Sequence, residues 1–158
     1  MLGPRGQDDI AASARAASRE NVEVVRDAYD AVNRGDLDAA IANIGPDMEY
    51  VASGAVPDAS GIFLGPNGVK QFVAGLYEEF DDARAEVTEL IEAGDQVLVG
   101  AIAQGRGKLS GVETRWETWQ LWTLKDGKLV RGQGFTTRDE ALGAAGLGRI
   151  TYLNHVRP

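Results

Sequence analysis

Charged and uncharged residues alternate along Val112 to Thr136 in a pattern that predicts two long strands joined by a turn at Asp126-Gly127, a strong short-range hairpin signal. Trp116, Trp119 and Trp122 are spaced three apart, which also fits a helix, but Thr114, Thr118 and Thr123 around them favour a pleated surface. Sorted by parity, Val112, Thr114, Trp116, Thr118, Gln120, Trp122 and Leu124 share one face, while Glu113, Arg115 and Glu117 share the other. The uncharged face is expected inward, where an unpaired charge would be costly. Val130, Gly132, Gly134 and Thr136 give the return strand a matching face. The two faces coincide if a three-residue loop places Gly127 as a left-handed bulge residue. Trp119 and Leu121 then lie on the convex side and need a cover, either a second copy of the chain or the C-terminal tail.

Elsewhere the apolar spacing is mostly helical. Residues 1–17 are small and polar and are expected to form a flexible leader. Ser18 is the expected cap of an amphipathic helix bearing Val22, Val25, Tyr29 and Val32, which Gly35 stops. Asp36 caps a short second helix through Leu37, Ala40, Ile41 and Ile44, and Pro46 closes it. Met48 to Ala52 reads as a strand, and the Gly-, Pro- and Ser-containing run Ser53 to Gly65 as a long rim loop or flap. A third helix follows, with Val69, Phe72, Val73, Leu76, Tyr77 and Phe80 on one face. Strands are expected at 83–92 and 97–106. Thr137 and Glu140 form a capping box for a last helix from Asp139 to Ala145, ended by Gly146. The expected fold class is α+β, a cone-shaped barrel in which a strongly bent, mostly antiparallel sheet wraps around about three helices. The domain spans 18–147, with 148–158 as a peripheral tail.

Composition narrows the partners more than the fold. A chain of 158 residues with 44% hydrophobic content fits one domain with a real core. Sixteen basic against twenty-four acidic residues, a net charge of −8, disfavour nucleic acid and anionic membranes as partners. The absence of cysteine removes disulfides, thiol nucleophiles and thiolate metal sites. With no apolar stretch that reads as a signal peptide or membrane span, a cytoplasmic location is expected. Glu78, Glu79, Asp81 and Asp82 diverge at a helix end and read as solvated surface, so no metal and no cofactor is expected. Gly105-Arg106-Gly107 opens no helix and is not a phosphate loop. His155, the single histidine, lies in the tail, away from the candidate chemistry.

The ordered segments ENVEVVRDAYDAVNRGDLDAAI, PDMEYV, LGPNGVKQFVAGL, ELIEAGDQVLVGAIAQGRG, WQLWTLKDGKLVRGQ and TTRDEALGAAGL resemble the nuclear transport factor 2-like superfamily. Within it, the chain is similar to the SnoaL-like polyketide cyclase and ketosteroid isomerase-like branch. The resemblance spans Asn21 to Leu147 and implies a cone-shaped barrel, commonly dimeric, with a deep apolar pocket between sheet and helices. Enzymes of this kind place acids and hydroxyls in that pocket, as proton shuttles and enolate-stabilising donors. Counted without gaps from Gly35-Asp36, the isomerase's oxyanion-hole tyrosine falls at Ala28 and its general-base aspartate at Ala52. The acid that cyclases and limonene epoxide hydrolases carry on the last strand falls at Gly134, counted from Asp126-Gly127. None of these three can transfer a proton. Tyr29 adjoins Ala28, but one residue on a helix turns the side chain by about 100°, so it is not an obvious substitute.

The candidate ligand-binding residues are therefore Tyr50, Trp116, Thr118, Gln120, Trp122, Gly134 and Phe72. Gln120 is the most informative, because a buried amide must find hydrogen-bond partners. Tyr50 shares its parity with Ala52 and is a candidate donor to a ligand carbonyl, while plain core packing is the alternative for each aromatic. These residues favour a small-molecule binding protein that takes an apolar ligand and dimerises through the convex sheet face. The alternative is a cyclase, isomerase or epoxide-hydrolase-like enzyme acting on a polyketide- or terpenoid-like substrate, with Glu117 as general base only if the strand parity is reversed. A purely associative domain using the sheet face is the third reading.

Overall fold

The alternation along the hairpin is realised as two faces of one sheet strand, β5 (Glu113–Lys125), in which Glu113, Arg115 and Glu117 are exposed while Thr118, Gln120 and Trp122 are buried. The computed structural model describes residues 4–56 and 59–147, with side chains described from residue 19 onward except over 53–60. Helices α1 (Pro4–Arg34) and α2 (Leu37–Ala40) lead into β1 (Ile44–Val56), β2 (Ala59–Leu64) and α3 (Gly65–Glu79). After these come β3 (Phe80–Ala93), β4 (Gln96–Gly107), β5, β6 (Lys128–Phe135) and α4 (Arg138–Ala144). The six strands form one sheet in the order β2-β1-β6-β5-β4-β3, antiparallel throughout except for the β1–β6 pair. Register shifts in β1 and β3, with Asp82 at a φ of 53° beside one of them, add the local twist that curls the sheet. The expected α+β architecture is thus present, with α1 and α3 packed against the sheet.

Several boundaries differ from the sequence-based expectation. α1 begins at Pro4 rather than at Ser18, because the alanine-rich run between them favours helix and proline suits a first helical position. Residues 1–3 of the expected leader, and the whole expected tail 148–158, lie outside the described residues. The expected rim loop Ser53 to Gly65 contains the end of β1 and all of β2, paired antiparallel with Val51 opposite Ile62. Its period-two signal was short: Ile62 and Leu64 are exposed and Phe63 packs on the core. α3 ends at Glu79, and Phe80 enters β3 directly.

The hairpin turn also differs. Asp126 and Gly127 both have positive φ, 52° and 75°, and form a two-residue connection of the mirror-image type that suits twisted strands. Leu124 pairs with Leu129, and an extra residue at Val130 shifts the register so that Trp122 opposes Gly132 and Gln120 opposes Gly134. The even faces coincide as expected, but through a bulge inside β6 instead of a three-residue loop. Leu129, not Val130, consequently enters the main core.

The convex face is divided. Trp119 and Leu121 are buried within the single chain, in a second core with Leu98, Phe135, Ala141 and Leu142 beneath α4. Thr137 caps α4 by accepting from the Glu140 backbone N–H, as its capping-box pattern predicts. Arg138 then ties α4 to β3 through two hydrogen bonds to the Glu89 carboxylate, at 2.7 and 3.0 Å. The Arg138 hydrogen bond holds the Glu89 carboxyl below its usual range despite a smaller opposing effect of desolvation. A lowered folded pKa stabilises above the ordinary carboxylate range, and that stability is lost as pH falls through the lowered value. Both side chains are partly exposed, at 43% and 32%. Glu89→Gln is therefore expected to cost roughly 0.5 kcal/mol at neutral pH. Urea midpoints measured against pH should show that difference closing on acidification.

Candidate functional site

α1, α3 and the concave side of the sheet line a partly open cavity. α1 supplies Val25, Ala28, Tyr29 and Val32, and α3 supplies Val69, Phe72, Val73 and Leu76. From the sheet come Tyr50 on β1, Leu129 on β6, and Trp116, Thr118, Gln120 and Trp122 on β5. No Asp, Glu, His, Lys or Arg is among the described lining residues. The free volume is about 130 Å³. That is close to a cavity known to hold benzene, and below the few hundred Å³ usual for drug-sized ligands.

The wall is built around a missing side chain. Tyr50 and Trp122 sit on either side of Gly132 in the β1–β6–β5 register. Their rings stack across it, with centroids 5.4 Å apart and planes 19° from parallel. Phe72 packs on Tyr50 at 5.2 Å and carries the aromatic surface onto α3. At the other end Trp116 meets Phe80 at 5.6 Å. Its indole Nε1 is buried and has no hydrogen-bond partner.

Within this apolar wall lies one polar cluster. The Trp122 indole N–H donates to the Tyr29 hydroxyl at 3.2 Å, the Tyr29 hydroxyl donates to Gln120 Oε1, and Gln120 Nε2 donates to the Tyr50 hydroxyl at 2.6 Å. Desolvation by burial is the main cause that raises both the Tyr29 and the Tyr50 pKa far above the ordinary phenol range. Both hydroxyls keep their protons under physiological conditions, so they can donate hydrogen bonds but cannot act as bases. Tyr77 is tied elsewhere, donating to the Val32 carbonyl.

Six of the seven expected site residues, Tyr50, Trp116, Thr118, Gln120, Trp122 and Phe72, line this cavity. Gly134 is buried opposite Gln120 but does not reach the lining, since it has no side chain to extend past its neighbours. Glu117 is exposed on the convex face, paired with Ile102, which excludes the reversed parity. The residue that sequence reasoning passed over is Tyr29. A turn of about 100° from Ala28 does not remove it from the site, because the α1 stripe of Val25, Ala28, Tyr29 and Val32 is itself that wide. Its place on an otherwise aliphatic stripe was the available signal.

The family of SnoaL-like domains matches residues 25–132, from the C-terminal third of α1 through most of β6. The chain belongs to this family. This SnoaL-like domain is similar to an NTF2-like protein of Burkholderia thailandensis, with 26% identity, coverage of 80% of this chain and 95% of that one, and a TM-score of 0.67. It is also similar in fold to TerC, co-crystallised with polyporic acid, at 24% identity, coverage of 80% and 98%, and a TM-score of 0.65. A protein of ketosteroid isomerase-like fold from Catenulispora acidiphila, in complex with trimethylamine, aligns at 18% identity over 79% and 93% of the two chains, with a TM-score of 0.65. Comparison with curated protein sequences gives no match. In this SnoaL-like domain Ala28 lines the cavity, and Ala52 is buried in the core. No described helix is long and apolar enough to cross a membrane. Among the described residues no cluster of His, Asp or Glu is arranged to hold a metal.

Proposed function

We propose that this SnoaL-like domain is a small-molecule binding protein whose cavity takes an apolar ligand of about one ring. The observation that carries this reading is the partly open aromatic and aliphatic cavity with a neutral polar cluster, Tyr29, Gln120, Tyr50 and Trp122. A cavity whose described lining carries no acid or base suits retention of a ligand better than proton transfer. Ligands bound to TerC and to the Catenulispora protein lend support to a pocket of this kind. Titration calorimetry with ethylbenzene tests it. Saturable binding at one site per chain is expected, and no heat above dilution across the solubility range contradicts the reading.

A second reading, an isomerase- or cyclase-like enzyme, is favoured by the two protonated tyrosyl hydroxyls, which suit stabilisation of an enolate. Turnover of a cyclic ketone that is lost in Tyr29→Phe would establish it over simple binding.

The proposed assembly remains a homodimer through the convex sheet, now restricted to its charged half because α4 covers Trp119. There the row Arg84–Gln104–Arg115 runs beside Glu86–Ile102–Glu117. A two-fold axis would set the basic row of one copy against the acidic row of the other. Sedimentation at micromolar concentration should show a dimer that weakens with salt, and a monomer at low salt contradicts it.

A further inference from the structure

Away from the cavity, a polar groove of about 760 Å³ lies where β3 begins, β4 ends and β5 begins. Arg84 of β3, Gln104 of β4 and Arg115 of β5 line it from a single register row, with Gln104 between the two arginines. At the usual strand spacing the two arginine backbones stand about 10 Å apart. A bulge brings them together. Asp81 pairs with Arg106 and Arg84 with Gln104, so β3 carries one residue more than β4 over this stretch, and Asp82 takes a φ of 53°. Strict alternation from Asp81 would turn Arg84 to the opposite face of the sheet; the extra residue returns it to the face of Arg115. Arg106, a third arginine of the lining, is matched by Glu113 at 3.0 Å. Asp82, the other acid of the lining, lies in the bulge, out of register with the arginine row. Acids outnumber bases in the chain by twenty-four to sixteen, yet Arg84 and Arg115 enter no ion pair among the described residues. Glu86 and Glu117 stand one row along and engage neither of them.

We propose that this groove is a second binding site, for a small dicarboxylate that places one carboxylate on Arg84 and the other on Arg115. Each guanidinium presents a planar fork that matches a carboxylate, and the Gln104 amide adds a donor between them. Two like charges in one row without counter-ions repel each other, and a dianion removes that repulsion. Phosphate fits less well. The described lining comes from strands and from Asn33 at the C-terminal end of α1, so it offers no helix N-terminus with free backbone N–H groups. The proposed dimer sets the same row against the acidic row of a second copy, and a bound dicarboxylate competes with that contact. The site itself depends neither on the dimer nor on the apolar cavity.

The test uses glutarate and glutaramate, which keeps one carboxylate and replaces the other with a neutral amide. Calorimetry on the full chain at low salt should show glutarate binding at one site per chain. It is expected to bind about fivefold more tightly than glutaramate, the worth of one well-oriented exposed ion pair. Arg84→Gln and Arg115→Gln should each bring that ratio close to one; both side chains are exposed, and neither substitution removes an ion pair of the fold. Arg131→Gln, which removes an exposed positive charge on β6 outside the groove, should leave the ratio unchanged. In a nitrogen-15-labelled sample the Arg84 and Arg115 Nε–H resonances should shift saturably with glutarate while that of Arg131 stays still. Absence of saturable glutarate binding overturns the proposal, as does equal affinity for the two compounds or a ratio that survives either groove substitution. An equal loss in Arg131→Gln, or inorganic phosphate bound more tightly than glutarate, overturns it as well.

Discussion

Replacing Gly132 with alanine is expected to destabilise the protein by about 1–3 kcal/mol, the range for overpacking a filled core, and to abolish ligand binding. A Cβ at this position would lie 2.4 Å from Trp122 Cζ3 and 2.8 Å from Tyr50 Cδ2. Both contacts are to rings, which cannot bend aside as a flexible chain end would. Both rings are buried, at 8% and 2% exposure, and each is held by the polar cluster as well as by the stack. Relief requires parting the Tyr50–Trp122 pair, and therefore deforming the cavity wall. Gly75 in α3 provides the contrast, since a Cβ there meets nothing within 4 Å. Gly75→Ala should stabilise by about 0.5–1 kcal/mol through helix propensity. Urea denaturation of the two variants reads both signs. An unchanged midpoint for Gly132→Ala would mean that the rings do not stack across that backbone.

The second large effect is expected at Gln120. Gln120→Leu removes the acceptor of the Tyr29 hydroxyl and the donor to Tyr50 in one step, at nearly constant volume. A cost of about 1–3 kcal/mol follows from each hydroxyl left unsatisfied in an apolar site. Adding Tyr50→Phe to that variant should cost much less than Tyr50→Phe alone costs the native protein, because the hydroxyl has already lost its partner. The double-mutant cycle is expected to give a coupling of about 1 kcal/mol or more. Strictly additive costs would show that Gln120 and Tyr50 are not coupled.

The legible and illegible parts of this chain separate on physical grounds. The faces of β5 were readable because Glu113, Arg115 and Glu117 leave only one parity that can be buried, and that same constraint assigned Trp116 and Trp122 to the cavity side and Trp119 to the convex side. The bulge at Val130 was not readable, since Asp126-Gly127 is compatible with loops of more than one length. β2 was hidden by its small residues Ala59, Ser60 and Gly61, which pair with β1 only because the partner strand is already in place. The cover over Trp119 was open between a second subunit and the tail, and α4 provides it. Most of the site's chemistry depends on convergence over distance: Tyr29 and Gln120 are 91 residues apart, and Gln120 and Tyr50 are 70 apart. No local pattern encodes such a meeting, so Tyr29 could be seen on its helix face but not as a partner of Gln120.

The three tryptophans allow one direct measurement of the central claim that a ligand enters the cavity between α1, α3 and the concave sheet. Trp116 and Trp122 line that cavity, whereas Trp119 lies in the other core beneath α4. Their indole N–H resonances can be followed during titration with ethylbenzene in a nitrogen-15-labelled sample. The account predicts saturable shifts of the Trp116 and Trp122 signals with that of Trp119 nearly still. Shifts confined to Trp119, or no shift in any of the three at saturating ethylbenzene, would contradict it.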